Sequence, residues 1–225
     1  MIRETANCKI GACVLAGGKA RRLRGVAKGA LEAAGGPSII ERLIEELDRA
    51  GVEEIIISTN DPLHYRDCGR TIVADLRRGV GPLGGIEAAL AYFKGRSDAV
   101  IFLPCDVPAI TAKEIGALKK DFLRAEARVV FAESGKNFWH PLCAVVHHAS
   151  LCDISAAIDR GERSVREVWR RLAAQPVHFE NETAFLNINT PADLEQWRSR
   201  CEGLDKRRAR FVSKRSLFSK RSANG

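Results

Sequence analysis

The chain is poor in aromatic residues, which fill only 6% of its 225 positions. So thin a supply offers no run of stacking platforms for single-stranded nucleic acid. No stretch approaches the ~20 consecutive apolar residues that span a membrane. Cys8, Cys13, Cys68, Cys105, Cys143, Cys152 and Cys201 form no C-x-x-C pair, and their number is odd. That pattern carries neither a disulfide framework nor a zinc signature. No secretory pattern leads the chain, because its first apolar stretch is short and runs into Gly17-Gly18-Lys19. Together these lacks predict a protein of a reduced, cytoplasmic compartment. No internal repeat and no long linker break the first 202 residues.

What is there fits an ordinary globule: 45% hydrophobic and 28% charged residues, in a length suited to one domain or at most two small ones. The net charge of +8 is unevenly spread. Gly203–Gly225 holds eight basic residues against Asp205 alone, a local +7, so the preceding residues stand near +1. This yields a domain over 1–202 and a basic, Ser-rich tail over 203–225 that lacks helical periodicity and reads as disordered. Such a tail is a solubilising appendage, or a weak contact for anionic partners. It is the only support for a nucleic-acid binder.

Strand-like and helix-like segments alternate. Buried strands are predicted at Ile10–Leu15, Glu54–Thr59, Thr71–Ala74 and Ala99–Leu103, with further strands at Arg128–Ala132, Cys143–His147 and Phe185–Ile188. Ile39, Ile40, Leu43, Ile44 and Leu47 recur at helical spacing behind a Ser38/Glu41 capping box. Ile86–Phe93 reads as a helix. Thr111/Glu114 and Ser164/Glu167 open two more, and Thr190-Pro191 opens the last, over Ala192–Arg200. This βαβ alternation predicts an α/β sandwich with a mostly parallel sheet, whose ligands bind at the carboxyl ends of strands.

The first strand end carries the strongest chemical signal. Gly17 and Gly18 permit a sharp turn that presents N–H groups to an anion. Lys19, Arg21, Arg22, Arg24 and Lys28 follow with no carboxylate among them. A polyphosphate is the natural guest of so cationic a loop, although no Walker Gly-Lys-Ser/Thr occurs. The alternative is a basic surface loop. Asp106, wedged between Pro104 and Pro108 after the fourth strand, is a hard carboxylate suited to Mg²⁺ and phosphates, or else a turn cap. Asp75 and Asn60 follow other strands; either is a turn residue, and the Asn60 amide is also a candidate to read a base or ribose. Asn187 and Asn189 flank Ile188 and would share one face of an extended segment, as metal or phosphate ligands or as turn chemistry. His147 and His148 are adjacent, so they face opposite ways and form no metal site. Gly79–Gly84 spells G-x-G-x-x-G, but Asp75–Arg78 separates it from the strand and Pro82 interrupts it, which argues against a dinucleotide fingerprint.

Leu15, Ala16, Gly17, Gly18, Arg22 and Lys28 resemble the signature loop of the molybdenum cofactor guanylyltransferases, the MobA family of nucleotidyltransferases, with Leu23 in place of a methionine. Two positions depart: Arg24 stands where the family has glycine and Ala27 where it has aspartate. Gly81–Ile86, Pro104–Pro108, His140–Leu142 and Asn187–Pro191 resemble further family motifs, in the family's order. The resemblance spans roughly residues 10–198 and excludes the tail. It implies a three-layer α/β/α Rossmann-like nucleotidyltransferase fold. It implies transfer of GMP from GTP to molybdenum-bound molybdopterin, with a molybdenum cofactor carrier or molybdoenzymes as partners. It implies Mg²⁺ on Asp106, catalysis by Arg22, Lys28 and Asp106, and nucleotide contacts from Leu15–Gly18, Lys28, Asp75, Asp106, Asn187 and Asn189. His140 is expected to shape the second-substrate pocket or simply to pack. The alternatives are a sibling enzyme using CTP or another acceptor, and a non-enzymatic relative that binds nucleotide or cofactor.

Overall fold

The structure is a computed structural model and describes residues 8–17, 28–32 and 36–199. Gly18, Lys19, Arg21, Arg22, Leu23, Arg24 and Ala27, the domain limit at 202 and the basic tail lie outside the described residues.

The strands are β1 (Ile10–Leu15), β2 (Ile55–Ser58), β3 (Thr71–Val73), β4 (Ala99–Pro104), β5 (Val129–Ser134), β6 (Phe138–His147) and β7 (Gln175–Phe179). They form one sheet in the order β3-β2-β1-β4-β6-β5-β7. Among the described strands only β6 runs against the rest: it pairs antiparallel with both β4 and β5, and the other strand pairings are parallel. The helices are α1 (Ile39–Arg49), α2 (Pro82–Tyr92), α3 (Ala112–Arg124), α4 (Leu151–Asp159), α5 (Val165–Arg171) and α6 over 191–199.

Side-chain alternation along β1 divides the core. Ala12 and Val14 face the layer of α1, α3 and α6, packing with Leu43, Leu118 and Trp197. Cys13 and Leu15 face the layer of α2, α4 and α5, packing with Ile86, Ile154 and Trp169. The expected three-layer α/β/α architecture is what the chain adopts. The predicted caps form as well. Ser38 and Glu41 close a reciprocal capping box, as do Thr111 and Glu114. Ser164 accepts from Glu167 N and Thr190 from Asp193 N.

One predicted element is corrected. Phe185–Ile188 is not a strand; a 3-10 turn covers Glu182–Phe185 and irregular chain follows. Phe185 and Ile188 are buried, so the run is apolar for core packing, while the sheet edge beside β5 is taken by β7. Within β7 only Val177 is buried, and Pro176 sits there because an edge strand can spare a donor.

Candidate functional site

β1 lies between β2 and β4, where the strand order turns back on itself, and the crevice opens at their carboxyl ends. Backbone bonds lock these ends together: Ala16 N donates to Ser58 O at 2.9 Å and Cys105 N to Leu15 O at 3.0 Å. The cavity above them has a volume of about 480 Å³. Leu15, Ala16, Gly17, Lys28, Asn60, Asp75 and Asp106 all line it, so seven expected site residues meet in one place.

At one end the side chains are charged. Lys28 stands on a 3-10 turn, Lys28–Ala30, whose Gly29 rests directly against the buried ring of Tyr65. Its Nζ donates to Asn189 Oδ1 at 2.8 Å and lies 3.4 Å from Asp106 Oδ2. The backbone ties the same two partners, because Ile188 N donates to Asp106 O at 2.8 Å. Asp193 then fixes Asn189: its carboxylate accepts from Asn189 N at 2.9 Å and Thr190 N at 2.8 Å, and these bonds hold its pKa below the usual aspartate value. Asn187 does not join this group. It lines a separate, smaller pocket with Pro108, Leu186 and Trp197.

At the other end backbone predominates. Gly79 and Gly81 line the cavity with φ of 78° and 68°, in the left-handed region that favours glycine. Gly85 lets α2 approach the strand ends, since a Cβ there would lie 2.7 Å from Ser58 Oγ and 2.9 Å from Leu15 Cδ2. Asn60 and Asp75 bind each other reciprocally: Asn60 Nδ2 donates to Asp75 Oδ2 at 2.7 Å, and Asp75 N to Asn60 Oδ1 at 3.1 Å.

Ser58 and Leu142 also line the cavity and were missed as site residues. Ser58 had a signal, a polar residue closing the apolar run Ile55-Ile56-Ile57. Leu142 had none. Along β6 the register jumps from Ala144 opposite Phe131 to His140 opposite Ala132, so Pro141-Leu142-Cys143 bulges out of the ladder. His140 lies outside the cavity lining. It pairs with Ser134 Oγ at 2.8 Å and stacks on Phe185 at 4.7 Å, and burial pulls its pKa down to about 4. Cys105 contributes a neutral wall, its thiol pushed up to about 12 by burial and by the neighbouring Asp106 charge.

The arrangement suits a phosphorylated ligand and a hard cation. Asp106 and Asn189 present a carboxylate and an amide oxygen to one point, now filled by the Lys28 ammonium. Among the described residues no cluster of three His, Cys, Asp or Glu forms a protein-only metal cage. Mg²⁺ needs none, since it characteristically takes one or two carboxylates and completes its shell with phosphates and water. The donor set therefore fits that ion. No helix of the described residues is long and apolar enough to cross a membrane.

Residues 12–177 match the family described as MobA-like NTP transferase domain. A molybdenum cofactor guanylyltransferase of Yersinia pestis (strain Pestoides F) is 30% identical over 193 residues, covering 84% of this chain and 95% of that one. Molybdopterin-guanine dinucleotide biosynthesis protein A from Archaeoglobus fulgidus superposes with a TM-score of 0.70 at 24% identity, covering 86% of this chain and 99% of that one. The Francisella tularensis 2-C-methyl-D-erythritol 4-phosphate cytidylyltransferase shares the fold at a TM-score of 0.65 and 12% identity, over 84% of this chain and 99% of that one.

Proposed function

We propose, from the premise that this chain belongs to the MobA-like NTP transferase domain family, that its nucleotidyltransferase activity moves GMP from GTP onto the terminal phosphate of molybdenum-bound molybdopterin. An acceptor phosphate oxygen forms the new bond to the α-phosphorus. The bond between the α-phosphorus and its bridging oxygen to the β-phosphate breaks, and pyrophosphate leaves. The observation that carries this reading is the convergence of Lys28, Asp106 and Asn189 at the head of the strand-end cavity.

The roles follow from chemistry. The backbone at Leu15–Gly18 receives the nucleotide. Lys28 and Arg22 neutralise the β- and γ-phosphates and the departing pyrophosphate. Asp106, with Asn189, holds Mg²⁺. When bound, that ion supplies Lewis-acid polarisation of the α-phosphate. The attacking phosphate is already ionised at neutral pH, so the chain needs no general base and works by positioning and charge neutralisation. Asn60 and Asp75 contact the nucleoside beside the glycine-rich wall. Guanine over cytosine is supported by the name of the Yersinia relative. A reducing, cytoplasmic setting agrees with the free thiols of Cys13, Cys68, Cys105, Cys143 and Cys152, and a cofactor carrier or molybdoenzyme would receive the product.

Turnover with GTP, CTP and ATP, each with molybdopterin acceptor and with or without Mg²⁺, tests the proposal. Pyrophosphate release is expected with GTP and Mg²⁺. Release with no nucleotide would overturn the enzymatic reading, and faster product from CTP would move the chain to the cytidylyl transferases.

A further inference from the structure

α2 is buried along most of its length, and its one acidic residue, Glu87, is buried too, at 2% exposure. A carboxylate inside an otherwise apolar helix interface is costly unless something holds it. Two groups do. Ser155 Oγ of α4 donates to Glu87 Oε1 at 2.7 Å, and Arg77 Nη2 lies 3.1 Å from the same oxygen. The second carboxylate oxygen is buried with no hydrogen-bond partner among the described residues. Arg77 belongs to the irregular loop between β3 and α2, the same loop whose Asp75, Gly79 and Gly81 line the cavity. Its other guanidinium nitrogen pairs with Asp159 at the end of α4.

Gly84 precedes Glu87 by three positions, so the two lie on one face of α2. A Cβ on Gly84 would stand 3.2 Å from Arg77 O and 3.1 Å from the Asp75 carboxyl carbon. The small residue thus seats the loop backbone, and one turn later the acid holds the loop's arginine. A buried ion pair adds little stability over apolar packing, but it fixes geometry.

Resting on the guanylyl-transfer reading, we infer that Glu87 is a positioning residue for the nucleotide: from inside the α2–α4 interface it sets, through Arg77, the 75–81 loop that walls the cavity. It touches no reacting atom. Losing it displaces a binding surface that serves ground state and transition state alike, which moves KM rather than kcat.

The test compares wild type, Glu87→Gln, Arg77→Met, their double variant and Ser155→Ala, using Mg·GTP as the probe. Glu87→Gln and Arg77→Met should each raise KM and the calorimetric Kd for GTP about tenfold, with kcat within about twofold of wild type. The double variant should be no worse than Arg77→Met, because that change already removes the Glu87 tether along with the Asp159 pair. Amide hydrogen exchange across residues 75–81 should quicken in all three. Ser155→Ala removes only the α4 bond, so it should lower the melting temperature and leave KM and loop exchange alone. Unchanged KM and exchange in Arg77→Met would overturn the inference, as would equal changes in Ser155→Ala. Arg77 is partly exposed, so its variant decides the matter if Glu87→Gln does not fold. If wild type binds no nucleotide, the functional reading falls. Loop exchange, which needs no ligand, then judges the tether by itself.

Discussion

The two ends of the cavity are built from different materials. One end is made of side chains that carry charge, Lys28 and Asp106, with the amide of Asn189 between them and the helix start at Thr190. The other is made largely of backbone at Gly79, Gly81 and Gly85, with the Asn60–Asp75 pair closed on itself. Charge acts over several ångströms and falls off slowly, so the first end tolerates small displacements and is defeated by losing a charge. Close backbone approach acts over tenths of an ångström, so the second end tolerates nothing added. On the proposed reading, the difference separates chemistry from recognition within one crevice.

Replacing Asp106 with Ala should sharpen that contrast most. Steady-state pyrophosphate release should fall about 10³-fold or more while the melting temperature holds, since the carboxylate is partly exposed and no core contact is lost. A rate near wild type would dissolve the distinction. The next largest effect belongs to the other end. Gly85→Ala should destabilise the fold by about 1–3 kcal/mol in denaturant titrations, because its Cβ would collide with Ser58 and Leu15. Gly17→Ala is the matched comparison: among the described residues, its chain neighbours aside, no atom lies within 4 Å of its would-be Cβ, so its denaturation midpoint should not move. Equal losses in both would mean that close packing is not what distinguishes the glycine-built wall.

A last effect lies outside both ends. Burial holds His140 near 4 in the folded chain against an ordinary value of 6.5, so between those pH values the unfolded chain binds more protons. Stability is therefore complete above 6.5 and is lost progressively as pH falls toward 4. Stability measured by denaturant across that window should slope less steeply for His140→Gln. An unchanged slope would assign the acid response elsewhere.

The sequence made the parallel half of the sheet readable. Its strands are short apolar runs, of which β1 leads into a glycine and β4 stops at a proline, and α1 and α3 begin with Ser or Thr three places before Glu. Because ligands gather at such strand ends, Gly17, Asn60 and Asp106 were legible from the residues themselves, whereas Leu15, Ala16 and Asp75 were implied by the family resemblance. The antiparallel side was harder for a physical reason. β7 buries one residue, so it leaves almost no hydrophobic period. Phe185 and Ile188 are apolar because a loop plugs the core, and apolarity alone does not tell a plug from a strand. The bulge that brings Leu142 to the cavity depends on register against β5, which no local window contains. The same holds for Asn187 and Asn189, which sequence alternation joins and the turn into α6 parts.

The Lys28–Asn189 hydrogen bond joins residues 161 positions apart. A chain leaves the ribosome from its N-terminus, so the lysine, the first strands and Asp106 all exist before the amide that completes them. Ile188 and Asp193, which aim that amide, arrive with it. The site is thus finished late, and a chain halted short of residue 189 has its sheet strands but lacks the amide acceptor for its own lysine. In time as well as in space, the final turn before α6 is the latch.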